Sequence, residues 1–145
     1  MKRIPKEKYL RLVADLPILC VDVIIKNTKG EHLLLKRSNP PRENQWWVIG
    51  GRVLKGESLE KAAIRKIKEE VGLKVKGLIP VGYYEEVYGQ GPFGRKGSYH
   101  PVSIVFSAVV NTRQKVRLDN QSSKWGYSKA LPSGFRIKPF VASFI

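Results

Sequence analysis

The sequence predicts a single α/β domain of the α+β kind, in which strands before and after one well-formed helix assemble into a mixed sheet. Three observations carry that expectation. The chain has 145 residues, about one domain's worth, here taken as residues 1–145. β-branched runs lie on both sides of the centre. Between them, one amphipathic stretch repeats an apolar residue every fourth position.

In order from the N-terminus, Lys6 to Ala14 reads as a short amphipathic helix with Leu10 and Val13 inward, ended by Pro17. Ile18 to Lys26 is a strand, Asn27-Thr28-Lys29-Gly30 has turn chemistry, and Glu31 to Arg37 resumes a strand, which makes a hairpin. Ser38 to Gln45 carries Pro40 and Pro41 and is a loop, and Trp46 to Ile49 is a short strand ending at Gly50-Gly51. The amphipathic helix runs from about Ser58 to Val71, with Leu59, Ala63, Ile67 and Val71 on its apolar face and Gly72 as its stop. Strands follow near Val75 to Glu86 and Val102 to Asn111, separated by the glycine-rich loop Gly89 to Gly97. From Asp119 onward the tail reads as irregular, with a last helix after Pro139.

Twenty-seven Lys and Arg against twelve Asp and Glu give a net charge of +15, a field that attracts phosphate groups. A nucleic acid, an anionic membrane surface and a small polyanionic metabolite all answer that field, and a solvated charged surface accounts for part of it. The best apolar run, Ile18 to Val21, stops at Asp22, so no segment is expected to span a bilayer. No apolar stretch of signal-peptide length follows the basic N-terminus, so the cytoplasm is the expected location. Cys20 is the lone cysteine, and with only His32 and His100 beside it a structural zinc site lacks ligands.

The chemistry gathers around the central helix. Gly51 is followed after five residues by Glu57, after seven more by Arg65, then by Lys66, Ile67, Glu69, Glu70, Gly72 and Leu73. On a helix Glu69 and Glu70 project side by side, and Arg65 lies one turn before Glu69, within reach of a charge-assisted contact. Glu57, just ahead of the helix, can fold back to the same cluster. Converging carboxylate oxygens suit Mg2+, which binds diphosphate oxygens in its remaining positions, with Mn2+ as a substitute. The alternative for the three glutamates is a solvated acidic face.

This run resembles the Nudix box, G-x(5)-E-x(7)-R-E-U-x-E-E-x-G-U with U aliphatic, at eight of its nine defined positions. The resemblance implies an α/β/α sandwich with a central mixed β-sheet. It also implies a hydrolase of nucleoside diphosphates linked to a second group, with Glu57, Glu69, Glu70 and a carbonyl at Gly50 or Gly51 as metal ligands. Lys66 stands where the box has its first Glu of the R-E-U-x-E-E run. It can bend away and pair with Glu70 on the surface, or supply part of the cation's charge.

The first half resembles the GDP-mannose mannosyl hydrolase branch more narrowly, through Pro17, Val21-Asp22, Asn27, Gly30-Glu31, Leu33-Leu34, Lys36-Arg37, Asn39, Trp46 and Gly50-Gly51-Arg52-Val53. In that branch water attacks the sugar's anomeric carbon with inversion and a nucleoside diphosphate leaves. Carried over, Glu70, the Gly50 carbonyl and Gln121 bind magnesium, Arg37, Arg52 and Arg65 stabilise the leaving diphosphate, and Asp22 touches substrate. For Asp22 the alternative is an outward residue of a strand. The branch's general-base His follows its Gln ligand, but here Gln121 is followed by Ser122, leaving His100, Glu85 and Glu86 as substitutes. Ile49 replaces a Pro, and Glu69 is retained as in enzymes that cut at phosphorus.

Trp46, Trp47, Tyr83, Tyr84, Tyr88 and Phe93 offer stacking faces, although most aromatics of this size belong in a core. The loop Gly89 to Gly97, with Arg95 and Lys96, is either a lid over phosphates or a plain hairpin loop. The expected partner is a nucleotide sugar, ahead of nucleic acid, and relatives of this type are often homodimers. Two other functions stay open: pyrophosphate cleavage as in ADP-ribose pyrophosphatases, and a non-catalytic module that binds RNA or a nucleotide.

Overall fold

The computed structural model describes residues 3–111 and 113–140. Its elements are α1 (Lys6–Asp15), β1 (Ile18–Lys26), β2 (His32–Arg37), β3 (Trp46–Trp47), β4 (Ile49–Arg52), α2 (Leu59–Val71), β5 (Lys76–Glu85), β6 (Tyr88–Gln90), β7 (Lys96–Tyr99), β8 (Pro101–Val109), β9 (Ser122–Ser128) and β10 (Lys138–Pro139). The main sheet has the order β10-β5-β8-β1-β2-β3, with β4 added on β1 and β9 on β2. β1 runs parallel to β8 and antiparallel to β2 and β4, so the sheet is mixed, as expected.

β1 forks. Residues 20–23 pair with Arg52 to Ile49 on β4, and only Lys26, at its far end, registers with His32 on β2. Its side chains alternate between two cores, the period-two consequence of a pleated strand. Val21, Val23 and Ile25 pack toward Ala62, Ala63, Ile67 and Val71 of α2. Ile24 packs on the other side with Leu34, Trp47, Tyr84, Val105 and Phe135. Burial on both faces explains why β1 is almost continuously apolar.

Helix α2 forms as its sequence requires. The Ser58 side chain accepts a hydrogen bond from the Lys61 amide at 3.2 Å, and Gly72 closes the helix in the left-handed region at φ 66°. The same helix also buries Lys66 and Glu70, which no apolar periodicity announces.

Two expectations about the second half need correction. The tail is not irregular from Asp119, because β9 pairs with the length of β2. Its sequence, Ser-Ser-Lys-Trp-Gly-Tyr-Ser, hides this: no residue of it is fully buried, and the strand is held by backbone pairing with β2 together with Tyr127, which packs against the core. The segment Gly89 to Gly97 is folded as well, as a small β6–β7 hairpin around a 3-10 turn at Pro92–Gly94. That hairpin leans on α1, where Arg95 donates to the Leu10 carbonyl and the Lys6 ammonium lies 4.2 Å from the Phe93 ring centre. The helix expected after Pro139 falls on residues 141–145, outside the described residues; Lys138 and Pro139 themselves pair with β5. Among the described residues, no helix is long and apolar enough to cross a membrane.

Candidate active site

A cleft of about 870 Å³ opens where α1, the loop 38–45, β4 and the β6–β7 hairpin meet. That volume suits a ligand the size of a nucleotide. Six cationic residues line it, namely Arg3, Lys6, Arg37, Arg42, Arg52 and Lys66, against one carboxylate, Asp22. Arg3, Arg42 and Lys66 are each paired with a glutamate behind the wall, which leaves Lys6, Arg37 and Arg52 without a carboxylate partner among the described residues as the charge that favours an anion.

Asp22 comes from β1, and the fork places it opposite Gly50 on β4. It is buried, so it is not the outward strand residue that its polarity suggests. A side chain at Gly50 would collide with the Asp22 carboxylate and come within 2.6 Å of the Val21 carbonyl, which is why the position is glycine. Burial pushes the Asp22 carboxyl up to about 6, against the Ser103 hydroxyl and the nearby Arg37 and Arg42 guanidinium groups, which lower it. A carboxyl raised in the folded state contributes stability that is present below pH ~4 and lost as the pH rises through about 6, amounting to about 3 kcal/mol. Asp22→Asn is therefore expected to flatten the fall in thermal midpoint across this window; parallel curves for the two proteins would contradict it.

The arginines arrive from separate elements. Arg37 ends β2 and donates from Nε to the Pro41 carbonyl at 3.1 Å, and Arg52 ends β4 with its guanidinium 4.0 Å from the Tyr9 ring centre. Arg42, which the sequence does not single out, lies 3.6 Å above the Trp47 ring and donates to Tyr88 and Tyr84 at 2.8 and 3.0 Å. Its charge is answered by Glu86 at 2.5 Å. Trp47, Tyr84, Tyr88 and Phe93 line the cleft; Trp46 and Tyr83 do not, and Tyr83 stacks on Phe140 instead. Arg3, Lys6 and Tyr9 of the N-terminal segment also line it.

The box residues are arranged differently from a cluster of free carboxylates. Arg65 clasps Glu57 side-on, at 2.7 and 3.0 Å, reaches Glu69 at 3.3 Å and donates to the Arg52 carbonyl at 3.0 Å. Glu57 also accepts from the Leu54 amide, and the Arg65 guanidinium holds its carboxyl below the usual range. Glu69 is held by Arg3 at 2.7 Å. Glu70, 5% exposed, faces the Lys66 ammonium at 2.9 Å, and Lys66 is itself 8% exposed. The lysine therefore does not bend away to the surface. It points inward, because position 66 lies on the buried side of α2.

Of the expected site residues, the cleft brings together Asp22, Arg37, Gly50, Gly51, Arg52 and Gln121. Glu57, Arg65, Glu69 and Glu70 stand behind its wall, where they brace Arg52 and Lys66. The substitute bases lie outside it: Glu85 is held by Lys138 at 3.1 Å, His100 lies 3.9 Å from Glu85, and Glu86 is held by Arg42. Among the described residues, no group of three or more His, Cys, Asp or Glu is placed to hold a metal ion. Each of the three box carboxylates has a cation of the chain against it: Arg65 on Glu57, Arg3 on Glu69 and Lys66 on Glu70.

A NUDIX domain matches residues 16–132. The low-salt glycan biosynthesis protein Agl8 of Haloferax volcanii is 31% identical over 122 residues, covering 84% of this chain and 77% of its own. An ADP-ribose pyrophosphatase of Methanocaldococcus jannaschii is 40% identical over 92 residues, 62% of this chain and 49% of its own, so the chain spans about half the length of that relative. The crystal structure of a MutT protein from Methanosarcina mazei shares the fold with a TM-score of 0.59 at 25% identity, over 79% of this chain and 78% of its own. With the box on α2 and the mixed sheet around it, this match over most of the sequence shows that the chain belongs to the Nudix hydrolase family, whose substrates are nucleoside diphosphates linked to a second group.

Proposed function

We propose that the protein hydrolyses a nucleoside diphosphate sugar at the sugar's anomeric carbon, releasing free sugar and nucleoside diphosphate, in the manner of GDP-mannose mannosyl hydrolases. The observation that carries this reading is the charge of the cleft, where Lys6, Arg37 and Arg52 have no carboxylate partner among the described residues. Such a site favours the state in which negative charge accumulates on a departing diphosphate. Arg37 and Arg52 flank that position from the ends of β2 and β4. In the step, a water oxygen bonds to the anomeric carbon, the bond from that carbon to the phosphate oxygen breaks, and the water's proton passes to solvent or to a nearby acceptor. The developing oxocarbenium character lets a weakly activated water suffice, so the missing His slows the reaction without forbidding it. Asp22, as the carboxylate of the cleft wall, accepts a hydrogen bond from a substrate hydroxyl. The glycan-biosynthesis name of the Haloferax relative is in keeping with a sugar-linked substrate.

Cleavage at phosphorus is the second reading, favoured by the retained Glu69 and by the identity to an ADP-ribose pyrophosphatase. Nudix hydrolases generally use divalent ions, typically Mg2+. Magnesium, with Mn2+ as its substitute, enters this proposal only as a competitor of Lys66 for Glu70. Hydrolysis of a panel of nucleotide sugars in oxygen-18 water separates the readings. Label on the free sugar and none on the nucleoside diphosphate is the expected result; label on a nucleoside monophosphate or sugar phosphate would establish the second.

A further inference from the structure

Lys66 is the one box position that departs from the motif, and the structure gives it a specific place. Its ammonium lies 2.9 Å from a Glu70 oxygen and 3.4 Å from a Glu69 oxygen, beside Gly51 of β4. A side chain at Gly51 would come within 2.7 Å of the Lys66 Cε and 3.2 Å of its Nζ, so the lysine occupies the space that the bare glycine leaves open. Unlike Glu70, Lys66 lines the cleft, and the pair is almost wholly removed from solvent.

We propose that the Lys66 ammonium is the resident cation of this site, taking the place of a divalent ion against Glu70, so that the cleft binds a nucleoside diphosphate without added metal and holds divalent ions weakly. A magnesium ion on Glu70 would need to approach a carboxylate oxygen to about 2.1 Å. The ammonium already stands on one of the two carboxylate oxygens, so an incoming divalent ion meets its charge at close range and must displace it or bind beside it against that repulsion. Expelling Lys66 would strip a buried ammonium of its partner, which is strongly unfavourable. The other box carboxylates offer no alternative, since Glu57 is clasped by Arg65 and Glu69 by Arg3. An ammonium is also a competent phosphate ligand in its own right, a point charge with three donors. Together with Arg37 and Arg52 it supplies positive charge from three elements without an ion from solution.

The inference rests on reading the cleft as a diphosphate site, and the experiment separates the two claims. Calorimetric titration with ADP, GDP, UDP and CDP is run in EDTA and in Mg2+, and Mn2+ binding is followed by electron paramagnetic resonance. Wild-type protein is expected to bind at least one nucleoside diphosphate in EDTA within about threefold of its affinity in Mg2+. Lys66→Met is expected to lose about tenfold or more of that affinity in EDTA, the worth of one charge-assisted hydrogen bond, and to bind Mn2+ about tenfold more tightly than wild type. If Lys66→Met does not fold by circular dichroism, Lys66→Gln, which keeps a hydrogen bond to Glu70, takes its place. Diphosphate binding by the wild type that requires Mg2+, or equal Mn2+ affinity in wild type and variant, would overturn the role given to Lys66. Failure of every nucleoside diphosphate to bind under both conditions would instead overturn the diphosphate reading of the cleft, and the Mn2+ comparison would still decide the lysine.

Discussion

Glu70→Gln is expected to lower the thermal midpoint by roughly 10 °C, the equivalent of about 3 kcal/mol in a chain of this size. In the motif the change looks conservative, a polar residue for a polar residue on a functional helix face. In the structure it strands a buried ammonium, because Lys66 keeps only the longer contact to Glu69 at 3.4 Å. Removing one partner of a buried ion pair is far more damaging than removing both, since the survivor stays desolvated without compensation. The double variant Lys66→Met with Glu70→Leu should recover most of the loss. Calorimetric or circular-dichroism melts of the single and double variants check this. A Glu70→Gln protein as stable as the wild type would mean that the pair is solvated and that the lysine is free to leave.

Arg52→Ala is the complementary case, with a large effect on turnover and a small one on stability. Its guanidinium rests on the Tyr9 ring and has no carboxylate partner among the described residues, so the charge is available to a ligand. Loss of one preorganised donor to a developing anion lowers kcat/KM by about 10²–10³. Arg52→Lys should restore part of it, because the charge returns without the planar fork. Arg37 serves less well for this test, since its Nε also holds the loop through the Pro41 carbonyl. Rates measured on the best nucleotide sugar of the panel decide the matter. Unchanged kcat/KM in Arg52→Ala would remove this residue from the leaving-group site.

The two variants also show what can be read from sequence and what cannot. Helix α2 is legible because its apolar face, its Ser58 cap and its Gly72 stop are local signals that agree with one another. The contact of Arg65 with Glu69 follows from one turn of helix, and Glu57 just ahead of the helix is expected near the same cluster, but the bidentate hold of Arg65 on it is seen only in the structure. Lys66 is visible as a departure from the box, yet only the packed structure gives its direction, which depends on the space left by Gly51. Strand β9 is missed because Ser, Lys and Gly make up most of it and its order comes largely from the backbone of β2. Arg42 carries no signal at all. It is one cation in a proline-containing loop, held with φ at 65° and defined by Trp47, Tyr84, Tyr88, Glu86 and Gln45 around it.

The parallel pairing of β1 with β8 joins residues 18–26 to residues 101–109, across most of the chain. Contacts so far apart in sequence form late, since a long loop must close before any of them is made. Asp22 meets Ser103 only through this pairing, and β5 reaches the sheet only through β8. During synthesis, therefore, the box and helix α2 leave the ribosome well before the strand that completes the wall of the cleft. A nascent chain ending near residue 95 would already carry Arg37, Arg42 and Arg52 but not the strand that completes the wall, so the cleft closes only after residues 101–109 have emerged.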